Sequence, residues 1–87
     1  MPKIEIYTGL FCPFCTRAKR LLDKKNVQYE EIDVSNARLR AAMRDRSGGR
    51  NSVPQIFIGD RHVGGCDDLY ALEASGELDK LLEGTAA

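Results

Sequence analysis

The sequence predicts an α/β fold, a four-stranded mixed sheet flanked by helices, and three observations predict it. Two short strand-like stretches are separated by a segment of helical periodicity. A second helical segment follows, and two further strand-like stretches joined by Gly59-Asp60 then lead into a last helical region. Strands with a helix between them should be parallel with a right-handed crossover, whereas a two-residue turn makes the closing pair antiparallel.

Each element has a local reason. Lys3-Ile4-Glu5-Ile6-Tyr7 alternates polar with apolar and uses strand-favouring residues, and Gly9 breaks the pattern. Pro13 stands where a first helical residue belongs, since a proline there gives up no hydrogen bond. A helix then runs to about residue 25. Cys15, Ala18 and Leu22 share one stripe with Phe14 and Leu21 beside it, and Arg17, Lys19, Arg20 and Lys24 face solvent. Residues 29–34 read as the second strand. Ser35 or Asn36 caps a second helix through about residue 46, with Leu39, Ala42 and Met43 inward. A loop at 47–51 precedes the hairpin of 55–58 and 61–63. A third helix starts near Asp67 with Leu69 and Leu72 inward, and an amphipathic stretch carries Leu78, Leu81 and Leu82. Residues 84–87 read as a frayed tail. A length of 87 residues with 43% hydrophobic content fits one domain, 1–87.

Charge narrows the function classes. Thirteen basic and thirteen acidic residues cancel, so strong electrostatic attraction to nucleic acid or membrane is not expected. Residues 1–25 nevertheless hold six basic and two acidic side chains. No stretch has the form of a secretory signal or approaches membrane-spanning length. Three cysteines are an odd count, which argues against a secreted disulfide framework and for the cytoplasm. In that compartment a closely spaced pair is catalytic or metal-binding.

The pair is Cys12-Pro13-Phe14-Cys15. Cys12 falls at a helix entrance, where backbone N–H groups and the positive end of the helix dipole stabilise a thiolate. Cysteines so placed have pKa values of roughly 3.5–7.5. Cys15 lies one turn further in and should stay a thiol until needed, so Cys12 attacks a disulfide and Cys15 resolves the product. No acidic residue occurs between Cys12 and Leu22, whereas Arg17, Lys19 and Arg20 do. These charges either form a solvated face or favour the thiolate and an anionic substrate. A zinc site is the competing reading, since Cys12-x2-Cys15 and His62-x3-Cys66 both have ligand-like spacing. The wide separation of the two halves argues against it, so no metal is assigned.

From Ile4 to about Leu82 the chain resembles the glutaredoxins, specifically the small bacterial dithiol class. Three motifs carry the resemblance: Cys12-Pro13-Phe14-Cys15, Ser52-Val53-Pro54-Gln55-Ile56-Phe57-Ile58 and Gly64-Gly65-Cys66-Asp67-Asp68. It implies a thioredoxin-like fold and reduction of protein disulfides and protein–glutathione mixed disulfides. Glutathione is then the co-substrate, with no tightly bound cofactor, and the protein is a monomer. By position, Cys12 is the nucleophile, Cys15 the resolving thiol and the Val53–Pro54 bond cis. Phe14, Ser52, Val53, Pro54, Gly65, Cys66 and Asp67 belong to the glutathione site, and Arg40 falls near a position used for the glycyl carboxylate. Asp67 also reads as a helix N-cap.

The sequence departs from the family at several points. Thr8-Gly9-Leu10-Phe11 lacks the lysine common before the first cysteine, a charge that Arg17 or Lys19 could replace. Phe14 replaces the commoner tyrosine, and Ser52 a common threonine. Cys66 reads as a small buried residue and His62 as a hairpin surface residue. Two other readings stay beside this one: a thioredoxin-like protein recharged by a flavoprotein reductase, and an iron–sulfur carrier. Pro13 argues against the latter.

Overall fold

The computed structural model describes residues 2–84. β1 (Ile4–Thr8) and β2 (Glu30–Asp33) are parallel neighbours joined through α1 (Pro13–Lys24). After α2 (Ala37–Arg46), β3 (Gln55–Ile58) pairs antiparallel with β1, and β4 (Arg61–Gly64) folds back on β3. α3 (Cys66–Ser75) and α4 (Glu77–Glu83) follow. The strand order is β2-β1-β3-β4, the expected mixed sheet, and the expected elements form with ends shifted by a residue where they shift at all. The expected tail beyond Gly84 lies outside the described residues.

Strand alternation sorts the core into two faces. Ile4 and Ile6 of β1 and Ile56 and Ile58 of β3 point to one side, where Ala18, Leu21 and Leu22 of α1, Leu69 of α3 and Leu78, Leu81 and Leu82 of α4 bury them. Each such leucine or isoleucine contributes about 1.5–3 kcal/mol, so this layer holds most of the apolar driving force. Lys25 fastens its rim: its Nζ lies 2.7 Å from Glu73 and 2.9 Å from Asp79, tying the end of α1 to α3 and α4.

The opposite face buries Tyr7, Val34, Met43 and Phe57 beneath α2, and polar groups complete it. Arg46 reaches from the last turn of α2 across the sheet. Its Nη2 meets Glu5 Oε1 at 2.9 Å, its Nη1 donates to the Tyr7 hydroxyl at 3.3 Å, and its guanidinium lies 4.0 Å over the Phe57 ring. This corrects the expected inner face of α2. Met43 is buried, but Ala42 is exposed and Leu39 is 39% exposed; Arg40 and Ser47 turn inward instead. Arg40 is half-buried against Val34 and Asn51, and the exposed Arg46 reaches Glu5 and Tyr7, so polar contacts share the sheet-facing side of α2 with Met43.

The Glu5–Arg46 pair makes a pH prediction. The Arg46 hydrogen bond holds the Glu5 carboxyl below its ordinary value, and Lys19 does the same for Glu31. Both folded pKa values are depressed. The stability they contribute is therefore present above the unfolded value of about 4.3 and is lost as pH falls through the folded values. Glu5→Gln should lower stability at pH 7 by about 1.5–3 kcal/mol, the worth of a charged hydrogen bond. It should also flatten the fall in melting temperature as pH drops below the ordinary carboxylate value of about 4.3, as read by circular dichroism.

Candidate active site

Cys12 is the N-cap of α1, in extended conformation, with Pro13 as the first helical residue. The Cys15 backbone N–H donates to Cys12 Sγ at 3.1 Å, so one of the donors a helix start leaves free is aimed at the sulfur. No acidic residue stands in the first turn to oppose negative charge. Cys12 and Cys15 are joined as a disulfide, their Cα atoms 5.2 Å apart. Cys12 is half-buried and Cys15 only 2% exposed, so Cys12 presents the accessible sulfur. Its Sγ lies 3.8 Å from the Val53 carbonyl oxygen. In the disulfide that is a contact; after reduction the thiol can donate across it.

Val53 precedes a cis peptide bond to Pro54, as the resemblance implies. Beside this bond runs a groove of about 160 Å³, lined by Phe14, Arg50, Ser52, Val53, Pro54 and residues 65–68. Its far wall is the first turn of α3. The N-cap there is Gly65, one residue before the helix, so Asp67 is not the cap. The backbone bond is made by Asp68, whose Oδ2 accepts from Gly65 N–H at 2.9 Å. Asp67 is left exposed in the first turn, and Arg50 Nη1 stands 3.8 Å from Asp68 Oδ2.

The fold therefore gathers Phe14, Ser52, Val53, Pro54, Gly65, Cys66 and Asp67 around one groove beside Cys12. Arg40 lies apart from that lining. Its Nε donates to the Val34 carbonyl at 3.3 Å and its Nη1 to the Asn51 carbonyl at 2.8 Å, while Nη2 is 4.0 Å from where a Cβ on Gly9 would stand. Lys19 is committed to Glu31 at 3.0 Å, and Arg17 lies over the Tyr70 ring at 5.5 Å. Cys66 is buried as expected, and burial pushes its thiol up, which keeps it protonated. Arg50 and Asp68 are site residues that sequence reasoning did not assign. Arg50 carries no local signal, whereas an acid three residues after a cap position is a capping-box signature.

His62 corrects its reading as a surface residue. It is half-buried, stacked on Phe57 at 4.7 Å, and its Nε2 lies 2.6 Å from Oε1 of the fully buried Gln55. Gln55 Nε2 donates onward to the Ser52 carbonyl at 3.0 Å, so its Oε1 is the acceptor and His62 must donate. Burial, and then the Arg50 charge, push the imidazole down. Among the described residues no three His, Cys, Asp or Glu side chains gather where a metal ion could be held. No helix among them is long and apolar enough to cross a membrane.

A cysteine pair capping the first helix of this sheet, with the outer sulfur beside a cis-proline loop, defines a thiol–disulfide oxidoreductase of thioredoxin-like fold. The family profile of the glutaredoxins matches residues 4–63. The chain belongs to the glutaredoxin family and is a glutathione-dependent oxidoreductase. It is 62% identical over 82 residues to glutaredoxin 1 of Rickettsia typhi, covering 92% of this chain and 79% of that one. The solution structure of a glutaredoxin from Brucella melitensis superposes with a TM-score of 0.85 at 57% identity, covering 100% of this chain and 94% of that one. A buckwheat glutaredoxin solved in complex with glutathione gives a TM-score of 0.86 at 28% identity, over 99% of this chain and 81% of that one.

Proposed function

We propose that Cys12 is the nucleophile, Cys15 the resolving thiol, and the groove beside them the glutathione site. The observation that carries this is the Cys15 N–H aimed at Cys12 Sγ where the groove opens. A Cys12 thiolate attacks one sulfur of a protein disulfide; a new S–S bond forms as the old one breaks, and the leaving thiolate takes a proton from solvent. Cys15, deprotonated as it attacks Cys12 Sγ, displaces the substrate sulfur still bound there, which takes up a proton, and closes the Cys12–Cys15 disulfide. One glutathione thiolate then opens that bond at Cys12, and a second releases oxidised glutathione and restores the dithiol. Two glutathiones thus supply the two electrons that reduce the substrate.

In the groove the γ-glutamyl carboxylate meets the first-turn N–H groups of α3 at Cys66 and Asp67, since the Gly65 N–H is taken by Asp68. Asp67 accepts from the α-ammonium, and Arg50 adds a cation to the same wall. The Val53 backbone pairs with the cysteinyl backbone in the manner of an added strand. Ser52, Pro54 and Phe14 complete the walls, and Arg40, beside Gly9, is the cation for the glycyl carboxylate. The protein works as one domain and a monomer in the cytoplasm, on disulfide-containing and glutathionylated proteins. Glutathione exchanges freely as co-substrate, and no cofactor is tightly held.

Turnover of a small glutathione mixed disulfide, coupled to glutathione and in parallel to a flavoprotein thioredoxin reductase, tests this reading. Glutathione should support turnover, and Asp67→Ala should raise KM for glutathione about tenfold or more through loss of a charged hydrogen bond. Turnover by the reductase alone would reassign the protein as thioredoxin-like. Iron–sulfur absorbance after anaerobic purification, with silence in both assays, would make it a cluster carrier.

A further inference from the structure

Among the described residues, the three most exposed large apolar side chains lie at one place, and only Leu39 and Tyr70, each less than 40% exposed, lie elsewhere. Leu10 is 69% exposed, Phe11 99% and Phe14 53%, and all three lie within two residues of Cys12. Phe14 lines the groove, but Leu10 and Phe11 do not. They stand on the chain just before the sulfur, in a turn where Phe11 adopts φ 50°. A non-glycine residue there costs about 1–2 kcal/mol, and this one gains no burial in return. From Ile6 to Thr16 there is no charged side chain, although 30% of the protein is charged.

We propose that Leu10 and Phe11 form a docking surface for protein substrates, taking the apolar side chains that flank the target cysteine in a polypeptide disulfide. The proposal rests on the reading of Cys12 as nucleophile. Sulfur–sulfur attack brings the substrate chain to Cys12 Sγ, and whatever reaches that atom meets the residue next to it. A partner therefore covers Phe11 during each reaction with a protein, and the lack of charge from Ile6 to Thr16 selects an apolar one. Glutathione, seated in the groove on the Val53 and Asp67 side, leaves Leu10 and Phe11 uncovered. The two substrate classes are thus read by different surfaces around one sulfur.

The test uses prereduced protein in single-turnover reactions with two synthetic peptide disulfides, one flanked by leucines and the other by serines, beside glutathione-coupled turnover of a small mixed disulfide. The wild type should reduce the leucine-flanked peptide about tenfold faster or more at equal concentration, the size expected of an aromatic anchor. Leu10→Ser/Phe11→Ser should abolish that preference while small mixed-disulfide turnover stays within about twofold, since no groove contact is removed. A preference that is absent, or that survives the double substitution, overturns the proposal. So does equal loss on the small substrate, which would place the turn in the sulfur's own machinery, or a sedimenting dimer dissolved by Phe11→Ser, which would assign the surface to a second copy. A wild type that distinguishes the peptides but shows no glutathione turnover would sink the glutathione reading and leave the docking surface standing.

Discussion

Cys12→Ser should lose turnover on every disulfide substrate by about a thousandfold or more, because the thiols that remain, Cys15 and Cys66, are buried. Cys15→Ser should behave differently. The donor that stabilises Cys12 Sγ is the backbone N–H of residue 15 at 3.1 Å, which serine leaves in place. The variant should therefore keep turnover on small glutathione mixed disulfides, where a second glutathione completes the exchange. It should lose protein disulfides that need an internal thiol to release them. Mass spectrometry should show one glutathionyl group accumulating on Cys15→Ser and none on Cys12→Ser. In the reduced wild type, alkylation should label Cys12 first, since Cys15 is 2% exposed and Cys66 is buried with its thiol pushed up. Labelling of Cys15 ahead of Cys12 would reverse the roles.

Gly64→Ala should cost about 2–4 kcal/mol, from backbone strain together with a lost helix cap. This is a large part of the roughly 4–13 kcal/mol expected of a chain this size. Gly64 has φ +114, and Val63 before it is the extra residue of a bulge, since Ile56 faces Gly64 while Phe57 faces His62. A Cβ there would run into the Asp68 carboxylate and come within 3.1 Å of Arg50 Nη1. Relief requires Asp68 to release the Gly65 N–H, so the α3 end of the groove deforms with the fold. Urea midpoints should fall accordingly, with KM for glutathione rising. Gly48→Ala is the control: its φ is +71, but nothing lies within 4 Å of its Cβ position, so it should pay strain alone. If the two substitutions cost the same, the collision with Asp68 is not what matters. If Asp68→Ala adds its full cost on top of Gly64→Ala, the two residues are not coupled through the cap.

Much of this site was legible in the chain because its causes are local. Pro13 starts α1 and Cys12 caps it, so the placement of Cys12 needs no distant contact. The alternation of β1 and the Gly59-Asp60 turn likewise lead to their strands, and the three motifs in order bring Val53, Pro54 and Asp67 to the groove. The inner face of α2 was not legible. Leu39 and Ala42 are the apolar choice by periodicity, but Arg46 finds Glu5 and Tyr7, 41 and 39 residues away in sequence, and Arg40 finds Val34 and Asn51. Periodicity counts hydrophobicity along a helix and has no knowledge of which carboxylate or carbonyl waits beneath it.

The sequence by itself determined the element order, the mixed pairing of the strands and the unequal exposure of Cys12 and Cys15, since each follows from residues within a turn or two. Tertiary structure alone decided that β1 and β3 are the inner strands and that Gln55 is buried with His62 as its donor. It also put Arg50 and Asp68 on the groove wall beside Asp67 and left Phe11 bare next to the sulfur. These outcomes depend on which distant groups meet, and polar partners joined across the sheet leave no periodic trace in the residues between them.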